Sequence, residues 1–269
     1  MVYQPLLSII KILVNKIMQK VLVVGDSCND VFVYGRSVRL SPDAPVPVFN
    51  PVETIENGGM GLNVQANVLS FGVKCDILDQ AEKIKKTRYV DKKTNHTFLR
   101  VDTGEGQILR VKSKQLEKIK NYSAIIISDY DKGFLHKEDI EYICDNHPLV
   151  FLDTKKHISS FCKNATFIKI NEVEYNESKI ELEKRHYRNN LIVTLGGKGC
   201  IYRQKIYPVD TVQVKDMSGA GDTFMASLVV NYLKSSNIEQ AIKFANLCAT
   251  NVVQKRGVAI VGKEDIIRK

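Results

Sequence analysis

The sequence predicts an α/β fold: a doubly wound, mostly parallel sheet with helices on both faces and a small β-sheet lid. Three observations lead there. Short apolar runs recur along the 269 residues, each uninterrupted, as strands buried on both faces must be. Stretches long enough for helices separate them, the alternation that builds parallel sheets. Two segments break the alternation with Val-, Phe-, Tyr- and Thr-rich pieces, which read as a separate small sheet.

Taken in order, residues 5–18 (P-L-L-S-I-I-K-I-L-V-N-K-I-M) are apolar but carry Lys11 and Lys16, and fall short of the roughly 20 residues that span a bilayer. They read as a helical extension over 1–19, ahead of one domain over 20–269. Residues 21–26 (V-L-V-V-G-D) form the first strand. Residues 31–55, built around S-P-D-A-P-V-P-V, give the first lid segment, and residues 87–111 the second. Between them N-G-G-M-G-L-N at 57–63 opens a helix that continues through Phe71. Its glycines permit close approach of a ligand and Asn63 suits sugar hydroxyls; a plain glycine helix entry explains the same residues. Further strands fall at 124–129, 150–153, 167–171 and 191–196. Many end in Asp, Asn or Gly, and ligands of doubly wound sheets sit beyond the carboxyl ends of the strands.

The stretch with the most chemistry is D-M-S-G-A-G-D-T at 216–223, followed by an apolar helical run. Two glycines entering a helix leave backbone N–H groups facing outward, and the helix dipole adds positive charge there. A carboxylate beside such an anion hole repels the anion unless it acts on a neutral group such as a hydroxyl. Asp222 therefore points to general-base catalysis of group transfer to an alcohol. A second reading is a turn capped by Ser218, with Asp222 complementing the dipole.

Composition narrows the function classes. A formal charge of +9 suits anionic ligands such as nucleotides and sugar phosphates. The lysines are dispersed, no basic run interleaves with aromatics and Trp is absent, so nucleic acid is not an expected partner. The six cysteines include no C-x-x-C pair and no His at ligand spacing, which predicts reduced thiols and a cytoplasmic protein.

Two signatures carry a resemblance. D-M-S-G-A-G-D-T-F is similar to the D-T-x-G-A-G-D-x-F of the ribokinase/PfkB family of carbohydrate kinases, and N-G-G-M-G-L-N-V-Q-A-N-V-L-S-F-G is similar to its N-terminal glycine signature. The likeness covers residues 20–262. Within the family the chain most resembles the heptose 7-phosphate kinases, the kinase half of bifunctional ADP-heptose synthesis proteins. G-D-S-C-N-D-V-F-V-Y-G, R-L-S-P-D-A-P-V-P-V, the run from T-R-Y-V to L-R-V-D, S-D-Y-D-K-G, and F-A-N with V-V-Q-K-R-G-V-A-I-V carry this.

The resemblance implies a ribokinase-like fold and an ATP- and Mg²⁺-dependent kinase that phosphorylates the anomeric hydroxyl of D-glycero-D-manno-heptose 7-phosphate. A kinase of another sugar, or a weakly catalytic sugar or nucleotide sensor, are the alternatives. Residue by residue it implies that Asp222 is the base and that Gly219, Ala220 and Gly221 form the anion hole. Asp30, Gly58, Gly59 and Asn63 would grip sugar hydroxyls, with Asp129 of S-D-Y-D-K-G on the substrate side. Asn171 and Glu174 form the N-x-x-E element, Glu174 being the metal candidate. Thr194, Gly196 and Gly199 match the nucleotide-binding strand end, and Asn246 the helix beside the adenine pocket. For the acceptor's own phosphate the candidates are Arg39, Arg88, Arg100 and Lys132, since guanidinium forks match phosphate oxygens.

One departure stands out. After V-K-C-D-I-L at 73–78 the family has a further strand and helix, whereas D-Q-A-E-K-I-K-K leads here straight to Thr87. The open edges of the lid strands predict a homodimer through the lid.

Overall fold

The computed structural model describes residues 19–183, 187–262 and 265. The expected extension over 1–19 lies, but for Gln19, outside the described residues. Twelve strands are described: β1 (Lys20–Gly25), β2 (Ser27–Leu40), β3 (Pro47–Met60), β4 (Lys74–Leu78), β5 (Lys85–Asp91), β6 (Thr97–Thr103), β7 (Ala124–Asp129), β8 (Val150–Thr154), β9 (Phe167–Asn171), β10 (Leu191–Thr194), β11 (Cys200–Tyr202) and β12 (Lys205–Tyr207). The α-helices are α1 (Gly61–Ser70), α2 (Ser113–Leu116), α3 (Lys137–Asn146), α4 (Glu172–Glu177), α5 (Lys179–Leu182), α6 (Ala220–Ser235) and α7 (Ile238–Val252).

Eight strands form the main sheet in the order β12-β11-β10-β9-β8-β7-β1-β4. It is parallel from β4 to β10 and antiparallel through β11 and β12. The uninterrupted runs have their reason in the layers on either side. In β1, Val21 and Val23 join the cluster that holds Val64 and Val68 of α1 with Phe224, Met225, Ala241 and Ile242 of α6 and α7. Leu22 and Val24 point the other way, into a cluster with Ile140 and Ile143 of α3. Both faces are dry from Val21 to Val24, so no position in that run tolerates a polar side chain.

The lid is a second sheet, in the order β3-β2-β5-β6. Its strands β2 and β3 are 14 residues each, far longer than the usual five or six, and register shifts interrupt their pairing at Tyr34/Gly35 and Ser37/Leu40. The lid begins earlier than its predicted segment, at Ser27, and ends at Thr103. Phe32, Tyr34 and Val90 pack on Val258 of the C-terminal loop, which ties the lid to the main domain.

Where the missing strand and helix were expected, β4 forms the edge of the main sheet. Residues 79–84 then run directly to the lid. At that junction the Gln80 side chain stands in for a neighbouring strand. Its Oε1 accepts from Ser27 N at 3.0 Å and its Nε2 donates to Ser27 O at 2.6 Å.

Candidate active site

The turn over 216–223 is held from both sides by Asp216, whose carboxylate accepts from Ser218 N (2.8 Å) and Gly257 N (3.1 Å). Helix α6 starts from Gly219 in the left-handed region (φ 79°) with no side-chain cap, so Ser218 does not cap it. A Cβ on Gly219 would strike the Asn63 amide. The first-turn N–H groups of Gly221 and Asp222 have no intrahelical acceptor and lie where the dipole is positive.

Asp222 is buried at 4% exposure. Asn63 Nδ2 of α1 donates to its Oδ2 at 3.0 Å and the Tyr130 hydroxyl donates to its Oδ1 at 2.7 Å. Burial pushes its carboxyl up to about 6, the two hydrogen bonds pull it down, Asp153 raises it and Lys169 lowers it. A carboxyl so placed binds a proton weakly enough to release it and strongly enough to accept one near neutral pH. Asn63 is fixed by Asn67, whose Nδ2 donates to Asn63 Oδ1 at 3.1 Å, while Asn67 Oδ1 accepts from Val261 N at 3.2 Å. One helix face thus registers the turn against the C-terminal loop.

The lid contributes Asp30, ion-paired to Arg88. Gly59 lies against the Asp30 carboxylate with no room for a side chain, and Gly58 pairs with Asn29 in the ladder. Arg88 faces Arg100 across β5 and β6, and Arg100 is bidentate to Asp102 at 2.7 and 2.6 Å. Arg39 is exposed at the outer end of β2, nine residues or about 30 Å of strand from Asp30, so a single chain does not bring the two together. Lys132 pairs with Glu105 at 2.8 Å. Asp129 is fully enclosed, accepting from Thr154 and Lys156.

On the other side, Asn171 and Glu174 form a reciprocal capping box at the start of α4, and Glu174 also pairs with Lys155. Thr194 Oγ1 donates to Ile170 O at 3.2 Å. Gly196 and Gly199 close the turn between β10 and β11, both at positive φ. Asn246 donates to Tyr207 O at 2.8 Å and borders a cavity of about 670 Å³ between residues 205–212 and α7, lined also by Leu247, Thr250 and Gln254. The predicted residues therefore fall into a group around Asp222 and Asn63, a lid group around Asp30, Gly59 and Arg88, a strand-end group and a cavity group, with Arg39 apart.

Tyr130 escaped the sequence reading although it sits inside S-D-Y-D-K-G. Its ring lies between Lys86 of the lid and Lys155 beyond β8, each ammonium 5.5 Å from the centroid. Burial and the Asp222 charge push its hydroxyl well up, so it stays a donor. Lys169 and Asp153 were also missed. A lysine inside the apolar run F-I-K-I-N was the available signal.

The sequence pattern that defines the pfkB family carbohydrate kinases matches residues 72–265. The chain belongs to this family. As a pfkB carbohydrate kinase it is 32% identical to the bifunctional protein HldE of a Nitratiruptor species, over 92% of this chain and 64% of that protein. It is likewise 32% identical to HldE of Helicobacter pylori strain J99, over 93% of this chain and 66% of that one. The chain thus spans just under two thirds of the length of these curated relatives. Among solved structures, the pfkB kinase superposes on ribokinase from Thermotoga maritima with a TM-score of 0.72 at 16% identity, covering 92% of this chain and 98% of that one. For phosphofructokinase-2 from Escherichia coli the TM-score is 0.69 at 11% identity, over 92% and 96% of the two chains. These likenesses carry the ribokinase-like fold: a mostly parallel sheet, flanking helices and a separate lid sheet. The enzyme is a sugar kinase, and kinases of this family use ATP. No described helix is long and apolar enough to cross a membrane.

Proposed function

We propose that this kinase transfers the γ-phosphoryl group of ATP to the anomeric hydroxyl of D-glycero-D-manno-heptose 7-phosphate, giving the 1,7-bisphosphate. The observation that carries the reaction type is Asp222, buried at the head of α6 with its carboxyl raised to about 6. The relatives named HldE and the R-L-S-P-D-A-P-V-P stretch support the acceptor.

In the reaction the sugar hydroxyl gives its proton to Asp222 as its oxygen bonds to the γ-phosphorus. The bond from that phosphorus to the bridging oxygen breaks and ADP leaves. Gly219, Ala220 and Gly221 shape the turn whose N–H groups receive the phosphoryl oxygens. Asn63 and Tyr130 hold the carboxylate in place, and Asp30 with Gly58, Gly59 and Asp129 sets the sugar side. Arg88, Arg100, Lys132 and, from the outer lid, Arg39 are the cations for the acceptor's phosphate. Asn246 borders the cavity for the nucleotide base, with Thr194, Gly196 and Gly199 at the strand end and Asn171 beside them.

Mg²⁺ is bound in such sites by one or two carboxylates together with substrate phosphates and water. The hard carboxylate of Glu174, held by Asn171 and Lys155 at a strand end, fits that demand. When bound, the ion neutralises phosphate charge.

A kinase of a different sugar is the second reading, and one observation favours it: Arg88 and Arg100 are both neutralised by carboxylates within the chain. A coupled ATP-turnover assay with heptose 7-phosphate, fructose 6-phosphate, ribose and no acceptor separates the two. Selective turnover of the heptose phosphate is expected; preference for ribose would remove the phosphate site while leaving the transfer chemistry. A cytoplasmic homodimer joined through the lid completes the reading. The six cysteines, all free and buried, and exposed lid residues Val38, Leu40 and Val52 support it.

A further inference from the structure

Strand β9 reads F-I-K-I-N, with Phe167, Ile168 and Ile170 buried among apolar neighbours. Lys169 interrupts the run and is itself 5% exposed. Its ammonium pairs with Asp153 of neighbouring β8, and both side chains are almost free of solvent. Such a pair gains little over two apolar residues packed in the same space, because the cost of desolvating two charges offsets their attraction. Stability is therefore a poor reason for its presence.

An ammonium has three donors, and the described hydrogen bond of Lys169 goes to Asp153 Oδ2. Among the described residues Asp153 Oδ1, equally buried, takes none. The pair is thus unsaturated on both sides. It also ends at the transfer turn: a Cβ placed on Gly221 would lie 3.1 Å from Lys169 Nζ. Gly221 is not among the positive-φ glycines, so its backbone conformation does not call for glycine. What a side chain there would meet is the lysine. Glycine at 221 leaves the ammonium against the open face of the turn.

We propose that Lys169 is a further phosphate-contacting residue of the transfer, its ammonium donating to the phosphoryl group received by the first turn of α6. This rests on the kinase reading of that turn. The backbone N–H groups bring partial charges, whereas Lys169 brings a full one at a site poor in water, where charge acts strongly. It takes no part in proton transfer, since the hydroxyl proton goes to Asp222 and the departing electron pair to ADP. Asp153 keeps the ammonium aimed. Asp222 feels both partners, with opposite sign.

The test uses the full chain with Lys169→Met, Lys169→Arg and the double variant Lys169→Met/Asp153→Asn, which leaves no lone buried charge. Two quantities are read: kcat with its KM for ATP, and the gain in calorimetric affinity when aluminium fluoride is added to ADP as a phosphoryl mimic. Lys169→Met is expected to lower kcat about 10²-fold, the loss typical of one donor to a transition-state oxyanion, with KM for ATP within about threefold. The double variant should stay as slow, Lys169→Arg should recover part of the rate, and the fluoride gain should vanish without the lysine. Recovery of kcat in the double variant would show that Lys169 only balances Asp153, and would overturn the proposal. So would an unchanged fluoride gain in Lys169→Met. A wild-type chain silent toward every sugar would sink the acceptor reading instead, with the fluoride gain still deciding Lys169.

Discussion

Burial raises the Asp222 carboxyl to about 6, with Asn63 and Tyr130 pulling the other way. Two consequences of opposite sense follow. As a base Asp222 works only when ionised, so kcat/KM should fall below a limb near pH 6. Asp153→Asn, which removes a raising charge, should move that limb to lower pH, and Tyr130→Phe, which removes a lowering hydrogen bond, should move it up. A limb that neither variant moves would separate Asp222 from the reaction. For folding, the carboxyl is raised above its unfolded value of 3.8, so its contribution to stability is fully present below that value and lost as pH rises through about 6. Asp222→Asn should therefore melt higher than wild type by a wider margin at pH 8 than at pH 5, while kcat drops about 10²–10⁴-fold with ATP affinity nearly intact. Asp222, Asn63 and the glycines were legible because their types are informative within one short stretch. Tyr130, Lys169 and Asp153 were not, because their roles arise between β7, β8 and β9, and sequence spacing does not say which strands are neighbours.

At the scale of elements, the parallel strands were readable for the reason that makes them stable. Ile126 of β7 is at 0% exposure beneath α6, and Ile126→Ala should cost about 2–5 kcal/mol in urea unfolding. The β11–β12 hairpin went unread. Its turn residues Arg203 and Gln204 both have positive φ (48° and 64°), where Asn-Gly or Asp-Gly is the usual signal, and its strands have three residues each. The lid was legible as two β-rich excursions, but its true reach from Ser27 was hidden because β2 follows β1 with only Asp26 between them. Val258 lies 3.2 Å from where a Cβ on Gly219 would stand and packs on Phe32 and Tyr34. Val258→Ala should consequently raise KM for the sugar more than KM for ATP, as steady-state kinetics would show.

For the whole molecule, the outer lid sets the expected assembly. Val38, Leu40 and Val52 are 81%, 61% and 65% exposed, and a second lid would cover them. Sedimentation should give a dimer at micromolar concentration, and Leu40→Asp should yield monomers; a monomeric wild type would remove the lid interface. The short passage from β4 to the lid was visible in the sequence, but the way it is held was not. Gln80 fastens Ser27 through paired hydrogen bonds, and Asn29 N donates to Ile84 O at 2.8 Å, so the starts of β2 and β5 are clamped together where they leave the main sheet. Mechanically the lid is a cantilever, stiff at its root and compliant where the ladder slips at Tyr34/Gly35 and Ser37/Leu40. Bending therefore concentrates in the outer half, with Arg39 and the proline cluster, while the paired Asp30 and Arg88 keep station near the root. Amide exchange should show it as a step, fast over residues 36–47 and slow over residues 27–34.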